Sequence, residues 1–481
     1  MLLSSAAAVG VAGLRLTDGA ATPVLTPSPI VAPLRPAAGA VVSLEAAERT
    51  MALPCFGGKS LPLWTFDEAS VFPIVRVPRG QALEVAIKNS LPRADEHITL
   101  HWHGLRIPNA QDGVAYLTQA PIMPGATGRY AFTPPETGTF FFHTHCNSVD
   151  HFGRGLVGAL IVDGDEAQAS DADLILMMKD WRLDAGKSFL PFTTDEGAAK
   201  AGTAGTVRSI NGVTNPVYAV PASGNIRVRL LNVDPARISE IGLEDADGAI
   251  IAVDGNGCTP IELGTWRLGP AGRLDILMRA PKAGQVAQLV DYFSAEPVVL
   301  ARFLAEGPEV RHDAFTPAPL LTMPFKVADR SAAEHLDFTF SATATGSAVA
   351  ATAAAGGDAL AIGKLCLSKR TFWAINKQPW SSVDHSDLGP PLASLKLGRS
   401  YIFELKNVTP NAHPIHIHGH TFEIITSNLR DLPSVRADTV LLLPKERIEV
   451  ALVADNPGRW MFHCHILEHQ ETGMMGYVTV T

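Results

Sequence analysis

Near its C-terminus the chain reads Met461-Phe-His463-Cys464-His465-Ile-Leu-Glu-His469-Gln-Glu-Thr-Gly-Met474. Alternate side chains of a β-strand point to opposite faces, so Cys464 projects to one side of such a strand and His463 and His465 to the other. A thiolate, two imidazoles and a weak axial thioether form a ligand set that selects copper by softness and geometry. Cys464, His469 and Met474 supply three of these groups within one short loop. The stretch therefore predicts one strand that serves two metal sites.

The missing imidazole is expected from a second strand-like stretch, His413-Pro-Ile-His416-Ile-His418-Gly419. His416 and His418 share one strand face, and His413 falls on the other. His413 is therefore assigned to the site of Cys464, and the pair to the site on the opposite face.

Two further pairs lie upstream, in His101-Trp-His103 and His143-Thr-His145. They bring the second site to eight imidazoles without a thiolate, which suits several copper ions with positions left open for oxygen. With 16 His in 481 residues, chance would give about half of one His-x-His pair, whereas five are present. The combined pattern is therefore a strong metal signal.

The chain length predicts about three domains, and one strand form occurs three times, at residues 80–89, 224–232 and 398–407. Each copy is a glycine, an apolar alternation and an asparagine. Short strands punctuated by 41 Gly and 35 Pro favour antiparallel sandwiches. The predicted fold is all-β, with three Greek-key β-sandwich domains at residues 38–165, 166–315 and 316–481.

The first and last domains match further. Residues 100–104 align with 415–419, and residues 138–145 with 458–465, which places Thr144 where the last domain has Cys464. The first domain is thus expected to help build the histidine cluster but to lack the thiolate site. No histidine occurs between His151 and His312, so the middle domain is expected to serve spacing and packing.

The remaining features set looser limits. Residues 1–14 are similar to the apolar core of an export signal, so residues 1–37 are predicted to be a signal remnant and leader, and the location to be periplasmic or secreted. A disordered Ala-rich terminus is the alternative. No run is long and apolar enough to span a bilayer, and a net charge of −9 argues against nucleic acid as a partner. The Ala/Thr/Gly-rich residues 341–358 are expected to form a mobile loop, or else a helix over the sandwich.

Five cysteines are too few for a disulfide scaffold. With Cys464 assigned to copper, the sequence leaves open no bridge, one bridge or three full pairings among Cys55, Cys146, Cys258 and Cys366. Cys146 is interpreted as a small buried hydrophobe.

These segments, in this order across essentially the whole chain, resemble the multicopper oxidases, the family of laccases, bilirubin oxidases and bacterial copper efflux oxidases. The resemblance implies cupredoxin-like domains and four copper ions that couple one-electron oxidations to reduction of O2 to water. It implies a type 1 site of His413, Cys464, His469 and Met474. It also implies a type 2 pair of His101 and His416, and two type 3 sets, His103, His143 and His465 on one ion and His145, His418 and His463 on the other.

The resemblance also implies functional roles for other residues. Cys464 would pass electrons to His463 and His465, and Asp112 matches an acidic residue near the type 2 copper. A plain Asp-Gly turn with Gly113 is the alternative for Asp112. Several bacterial members carry a glutamate directly after the last type 1 histidine, where this chain has Gln470, and an amide does not shuttle protons. Glu471 is predicted to substitute, with Glu468 as the alternative.

The substrate is the least determined property. Copper efflux oxidases carry a methionine-rich insert, and here the 10 Met are scattered, so a laccase-like oxidase of phenols or aromatic amines is predicted. A metal-ion oxidase of Cu(I), Fe(II) or Mn(II) in copper tolerance is the main alternative, and a non-catalytic envelope scaffold or a copper nitrite reductase is remote. An open pocket beside His413 and His469 would favour organic donors, and a covering loop with carboxylates or methionines would favour metal ions. The oligomeric state stays open.

Overall fold

The computed structural model describes residues 25–166, 169–321, 325–354, 371–380 and 388–481. Most of the predicted signal remnant, residues 1–24, lies outside these ranges. The described residues form six sheets, two in each of three consecutive units. The predicted all-β class is confirmed, while the exact domain boundaries stay a prediction.

The first unit packs two four-stranded sheets, with strand orders β2-β1-β4-β6 and β3-β8-β7-β5. Side chains of β1 alternate between exposed and buried, with Val42, Leu44 and Ala46 inward, as one covered sheet face requires. The strands are β1 Val41–Ala52, β2 Ser60–Thr65, β3 Ile74–Pro78, β4 Leu83–Ser90, β5 His101–His103, β6 Thr127–Phe132, β7 Gly138–His143 and β8 Val157–Asp163.

The second unit has a six-stranded sheet, β10-β9-β12-β17-β14-β15, and a five-stranded sheet, β11-β19-β18-β13-β16. The strands are β9 Ala172–Trp181, β10 Val207–Ile210, β11 Val217–Pro221, β12 Asn225–Asn232, β13 Ser239–Glu244, β14 Gly248–Val253, β15 Asn256–Glu262, β16 Trp266–Leu268, β17 Arg273–Arg279, β18 Val286–Asp291 and β19 Val298–Glu306.

The third unit repeats this arrangement of six and five strands, in the orders β21-β20-β23-β28-β25-β26 and β22-β30-β29-β24-β27. The strands are β20 Glu334–Ala342, β21 Trp373–Ile375, β22 Ala393–Leu395, β23 Ser400–Asn407, β24 His413–Ile417, β25 Phe422–Ser427, β26 Arg436–Ala437, β27 Thr439–Leu442, β28 Arg447–Val453, β29 Gly458–Cys464 and β30 Met475–Val480.

The three similar sequence stretches form β4, β12 and β23, which occupy equivalent places. Each pairs in parallel with the first strand of its unit and antiparallel with a later strand on its other side. The central position explains their apolar alternation, since the inward side chains cover the sandwich core.

The four strands that carry the His-x-His pairs form two antiparallel couples. In the first unit β5 pairs with β7, with His101 opposite His143. In the third unit β24 pairs with β29, with His416 opposite His463. The register thus places the imidazoles of each couple side by side, on the face where the first and third units meet.

The described residues form four α-helices, α1 Ser148–Arg154, α2 Asp195–Ala199, α3 Ala344–Ala354 and α4 Leu467–Glu471, and single 3-10 turns at Pro54–Phe56 and Asn109–Gln111. The expectation of a mobile loop is wrong for Ala344–Ala354, which form α3. Their alanine-rich sequence favours a helix, and α3 contacts α2. Residues 355–358 of that stretch lie outside the described ranges. Within those ranges no helix has the length and apolar character to cross a membrane.

Candidate metal centres

Three of the predicted type 1 residues meet in the third unit and form, with Met474, what is called here the thiolate site. Cys464 Sγ lies 3.7 Å from Nδ1 of His413 and 3.7 Å from Nδ1 of His469, and the two Nδ1 atoms are 3.0 Å apart. Met474 is fully buried, and its backbone bonds Cys464 N and His469 O. The loop therefore closes on itself, as the spacing of the sequence predicts.

The pKa shifts of the cysteine and the two histidines of the thiolate site fit a site for a soft metal ion. Burial raises the pKa of the Cys464 thiol, and the Ile466 amide, which donates to the sulfur, opposes this rise. Burial lowers the pKa of His469 to about 3 and, together with His469, lowers that of His413. Neutral imidazoles are what a metal needs, and a buried thiolate needs a nearby cation to offset its charge.

The other eight predicted histidines all lie together between the first and third units and are called the histidine cluster. His101 stacks on His418 at 3.9 Å between ring centroids, and His103 stacks on His416 at 3.8 Å. Donor atoms within 4.8 Å of one another form the sets His101/His103/His143, His101/His416/His418 and His145/His418/His463. The last set is the predicted second type 3 set.

The cluster also fits metal ions by its unused donors. Buried ring nitrogens lack a hydrogen-bond partner at His101 Nε2, His103 Nδ1, His143 Nε2, His416 Nε2 and both nitrogens of His465. An unpaired buried polar atom is costly, so this many in one place indicates an ion that satisfies them. Burial lowers the pKa of six of the eight imidazoles of the histidine cluster and so keeps them neutral. They are His103, His143, His416, His418, His463 and His465.

Asp112 lies against two of these imidazoles. Its carboxylate accepts from His418 Nδ1 at 3.0 Å, and its carbonyl accepts from His101 Nδ1 at 2.8 Å. The Asp-Gly turn expected as the alternative is also present. Gly113 has φ +78°, and a Cβ there would lie 1.9 Å from Leu100 O. The Asp-Gly turn is thus the means by which the carboxylate reaches the cluster.

The two glutamates considered for proton supply lie in different surroundings. Glu471 Oε1 accepts from Val149 N at the start of α1, which begins three residues after His145. Glu468 is buried and accepts from Thr203 Oγ1 at 2.8 Å and Thr194 N at 3.1 Å. Glu468 therefore ties α4 to the second unit, and the proton role of Glu471 stays a prediction.

At Thr144, the first-unit counterpart of Cys464, a hydrogen-bond chain replaces the thiolate site. The Thr144 hydroxyl bonds His151 Nδ1 at 2.8 Å, His151 Nε2 bonds Glu96 Oε1 at 2.9 Å, and Arg93 pairs with Glu96 at 2.9 Å. His151 was not predicted as a functional residue, because it belongs to no His-x-His pair in the sequence. Burial alone would raise the pKa of Glu96, but bonds from His151 and Asn147 outweigh it and lower the pKa to about 2.

We expect Glu96→Gln to lower the free energy of unfolding of the metal-free protein by about 2 kcal/mol at neutral pH, as charged hydrogen bonds contribute. The folded-state pKa of Glu96 lies below its ordinary value of 4.5, so the contribution is present above pH 4.5 and is lost as the pH falls towards about 2. Denaturant unfolding of both proteins at about pH 6 and about pH 3 measures it. Asp95→Asn, at an exposed neighbour, serves as the control. A gap between wild type and Glu96→Gln that stays constant with pH would contradict the assignment.

The thiolate site is covered. His469 Nε2 donates to Lys200 O at 2.8 Å, and His413 Nε2 bonds the Thr409 hydroxyl at 2.8 Å. The Trp373 ring lies 4.5 Å from that of His469, and its Nε1 donates to Ala198 O at 2.6 Å. Residues 194–203, called the covering segment, therefore close the edge of the His469 imidazole.

A cavity of about 570 Å³ lies between the second and third units. It is lined by residues outside the thiolate site and the covering segment, among them Trp266 and Pro414.

The remaining cysteines carry no bridge in the described ranges: Cys55, Cys146 and Cys258 are free thiols, and Cys366 lies outside them. Cys146 is buried, and burial raises the pKa of its thiol to about 12. It packs as a small hydrophobe.

Asp438 is a residue of the cluster that was not predicted from the sequence. Its carboxylate lies 3.2 Å from His103 Nε2, and its carbonyl accepts from His416 Nδ1 at 2.9 Å. The only signal in the sequence was a lone acid before the apolar run Val440-Leu-Leu-Leu443.

The chain is similar to known multicopper oxidases in sequence and in fold. The sequence pattern of the multicopper oxidases matches residues 50–167 and 367–481. A multicopper oxidase of Mycobacterium tuberculosis is 28% identical over 87% of this chain and 83% of its own. Crystal structures of multi-copper oxidases from Pseudomonas thermotolerans and Pseudomonas parafulva are 33% and 35% identical, with TM-scores of 0.81 and 0.80. They cover 94% and 92% of this chain, and 100% of each of those chains is matched.

Proposed function

The chain belongs to the multicopper oxidase family, whose members are four-copper oxidoreductases that use O2, and on this premise we propose that it oxidises metal ions one electron at a time. The single observation that carries this choice is the cover over His469. Its outer nitrogen is bonded to Lys200 O, and the side chain is fully buried. An organic ring therefore has no imidazole edge to contact.

The chemistry of the covering segment supports the choice further. It carries the carboxylates Asp195 and Glu196, of which Glu196 pairs with Lys200 at 2.8 Å. Residues 194–203 contain no Met, Cys or His. Oxygen donors suit hard cations, whereas Cu(I) prefers soft ligands. Fe(II) or Mn(II) is thus the proposed electron donor. The net charge of −9 also favours a cationic donor, because it attracts positive ions.

The residue roles proposed from the sequence are kept. His413, Cys464, His469 and Met474 form the type 1 site, and the histidine cluster holds the type 2 and type 3 ions in the division given above. When bound, copper supplies one-electron transfer at the thiolate and reduction of O2 to water at the cluster. Cys464 is joined through single peptide bonds to His463 and His465, so the chain itself connects the two sites. Asp112 holds two cluster imidazoles in place and is, with Glu471, a proposed proton carrier.

Oxidation of phenols, the expectation from sequence, is the second candidate. Relatives of this chain include a laccase of Botryotinia fuckeliana as well as an iron transport multicopper oxidase of Schizosaccharomyces pombe. The scattered methionines weigh against Cu(I) but not against phenols.

Oxygen uptake with Fe(II), Mn(II), Cu(I) and a methoxyphenol, each at several concentrations, separates the candidates. We expect the highest kcat/KM with Fe(II) or Mn(II), and a rise in KM of about tenfold for that ion in Asp195→Asn/Glu196→Gln, since two local charges are lost. The phenol rate of that variant should not fall, and Glu306→Gln, at an exposed carboxylate of the second unit, serves as control. Brisk phenol turnover with negligible turnover of all three ions would overturn the proposal in favour of a laccase.

A further inference from the structure

Three charged side chains are buried where the three units meet. Asp254 follows β14, Arg273 begins β17, and Asp438 lies between β26 and β27; their exposed fractions are 1%, 0% and 0%. Arg273 Nη1 donates to Asp438 Oδ1 at 2.9 Å, and Nη2 donates to Asp438 Oδ2 at 2.5 Å. The pair is therefore a bidentate ion pair between the second and third units.

The carboxylate of this pair touches the histidine cluster. Asp438 Oδ1 lies 3.2 Å from His103 Nε2, and the carbonyl of Asp438 accepts from His416 Nδ1. The opposite nitrogens, His103 Nδ1 and His416 Nε2, are the unpartnered ones. Because the bonded nitrogen of an imidazole fixes which nitrogen is left for a metal, Asp438 sets the tautomer and orientation of both rings. The Thr439 hydroxyl assists, at 3.3 Å from His103 Nε2 and 3.1 Å from His416 Nδ1.

Asp438 is the counterpart of Asp112. Asp112 contacts His101 and His418, so each carboxylate serves one proposed type 2 ligand and one proposed type 3 ligand. The two carboxylates differ in their partners. Among the described residues, Asp112 pairs with imidazoles alone, whereas Asp438 pairs with imidazoles and also with Arg273. One of the two supports of the cluster is thus anchored by a unit that holds none of its ligands.

The guanidinium of Arg273 is fixed in one geometry. Besides the two bonds to Asp438, Nη1 donates to Ala271 O at 3.0 Å, Nη2 to Asp254 O at 3.0 Å and Nε to Thr139 O at 3.3 Å. A guanidinium has five N–H donors, and all five find acceptors, drawn from all three units.

The first unit makes room for the pair. Gly104 directly follows His103, and a Cβ there would lie 2.3 Å from Arg273 Nη2 and 2.7 Å from Asp438 Oδ2. The glycine that ends the first His-x-His stretch is therefore required by the ion pair, in addition to its φ of +90°.

We propose that Arg273 is a positioning residue of the histidine cluster, which acts through Asp438 to orient His103 and His416. This inference rests on the proposed assignment of the cluster as the copper site, and it gives the second unit a role beyond the spacing and packing expected from its sequence. Removal of the guanidinium leaves a buried carboxylate without its partner, so Asp438 shifts and both rings lose their fixed orientation.

The test compares Arg273→Gln with Arg227→Gln after copper loading. Arg227 is a matched control, because it is equally buried in the second unit and pairs with Asp165 and Asp275. Copper content, the electron paramagnetic resonance of the type 2 ion and the visible band of the thiolate site are measured on each. We expect Arg273→Gln to change the type 2 spectrum and to weaken copper binding at the cluster about 10- to 100-fold, with the visible band unchanged. Arg227→Gln should lower the unfolding temperature and leave the type 2 spectrum unaltered.

Arg273→Lys keeps the charge but not the five-donor fork. It should restore copper content and give an intermediate type 2 spectrum, and it replaces Arg273→Gln if that variant does not fold. Spectra of Arg273→Gln and Arg273→Lys identical to wild type, or equal changes in Arg227→Gln, would overturn the proposal. A wild-type protein that lacks four copper ions and the visible band would instead contradict the proposed function itself, so the two failures are distinguishable.

Discussion

Cys464→Ser is expected to abolish oxygen uptake with every donor and to remove one of four copper ions. A hydroxyl does not replace a thiolate as a soft ligand, and His413, His469 and the weak axial Met474 are then left to hold the ion. The intense thiolate-to-copper band disappears with the sulfur. Copper analysis and visible absorption of the loaded variant measure both effects.

The informative detail is what this variant keeps. The histidine cluster lies on the other face of β29 and shares no side chain with the thiolate site, so its three ions and the type 2 resonance should remain. Cys146→Ser, at a buried thiol beside the cluster segment, serves as control and should keep four ions and full activity. Retention of the visible band in Cys464→Ser would contradict the assignment of the thiolate.

Asp112→Asn is expected to slow turnover by about 10²-fold, the range of a lost proton carrier and ligand support. The amide keeps the shape of the turn but neither titrates nor carries the charge that holds His418. Because Asp112 contacts the cluster and not the thiolate site, reduction of the visible band by donor without oxygen should keep its wild-type rate. Reoxidation by O2 alone should be slow, and stopped-flow absorption resolves the two phases.

Asp67→Asn separates a proton role from a turn role. Asp67 also forms a turn in the first unit, since its carboxylate accepts from Ala69 N and Ser70 N, but it has no cluster contact in the described structure. This variant should lose some stability and no activity. Equal losses of activity in the two variants would reduce Asp112 to a turn residue.

Strand alternation alone could predict the division of ligands between the two sites. It depends only on the parity of positions, so Cys464 against His463 and His465, and His413 against His416 and His418, could be sorted without knowing how strands pair. The all-β class followed from the same short alternating runs. Which imidazoles share an ion depends on how the first and third units meet, and that division came from the family resemblance.

The supports of the cluster could not be predicted in the same way. Arg273 and Asp438 lie far apart in sequence and belong to different units, so no spacing links them. His151 likewise reaches Thr144 only through the geometry of α1. The cover over His469 comes from residues 194–203 of a unit without ligands, and it changed the proposed donor from phenols to metal ions.

The ratio of donor oxidised to O2 consumed tests the four-copper assignment, and an oxygen electrode and donor absorbance measure it on the copper-loaded protein. We expect four one-electron donors per O2 and no hydrogen peroxide, because the thiolate site feeds a cluster that reduces O2 completely to water. A ratio of two donors per O2 with accumulation of hydrogen peroxide would contradict that assignment.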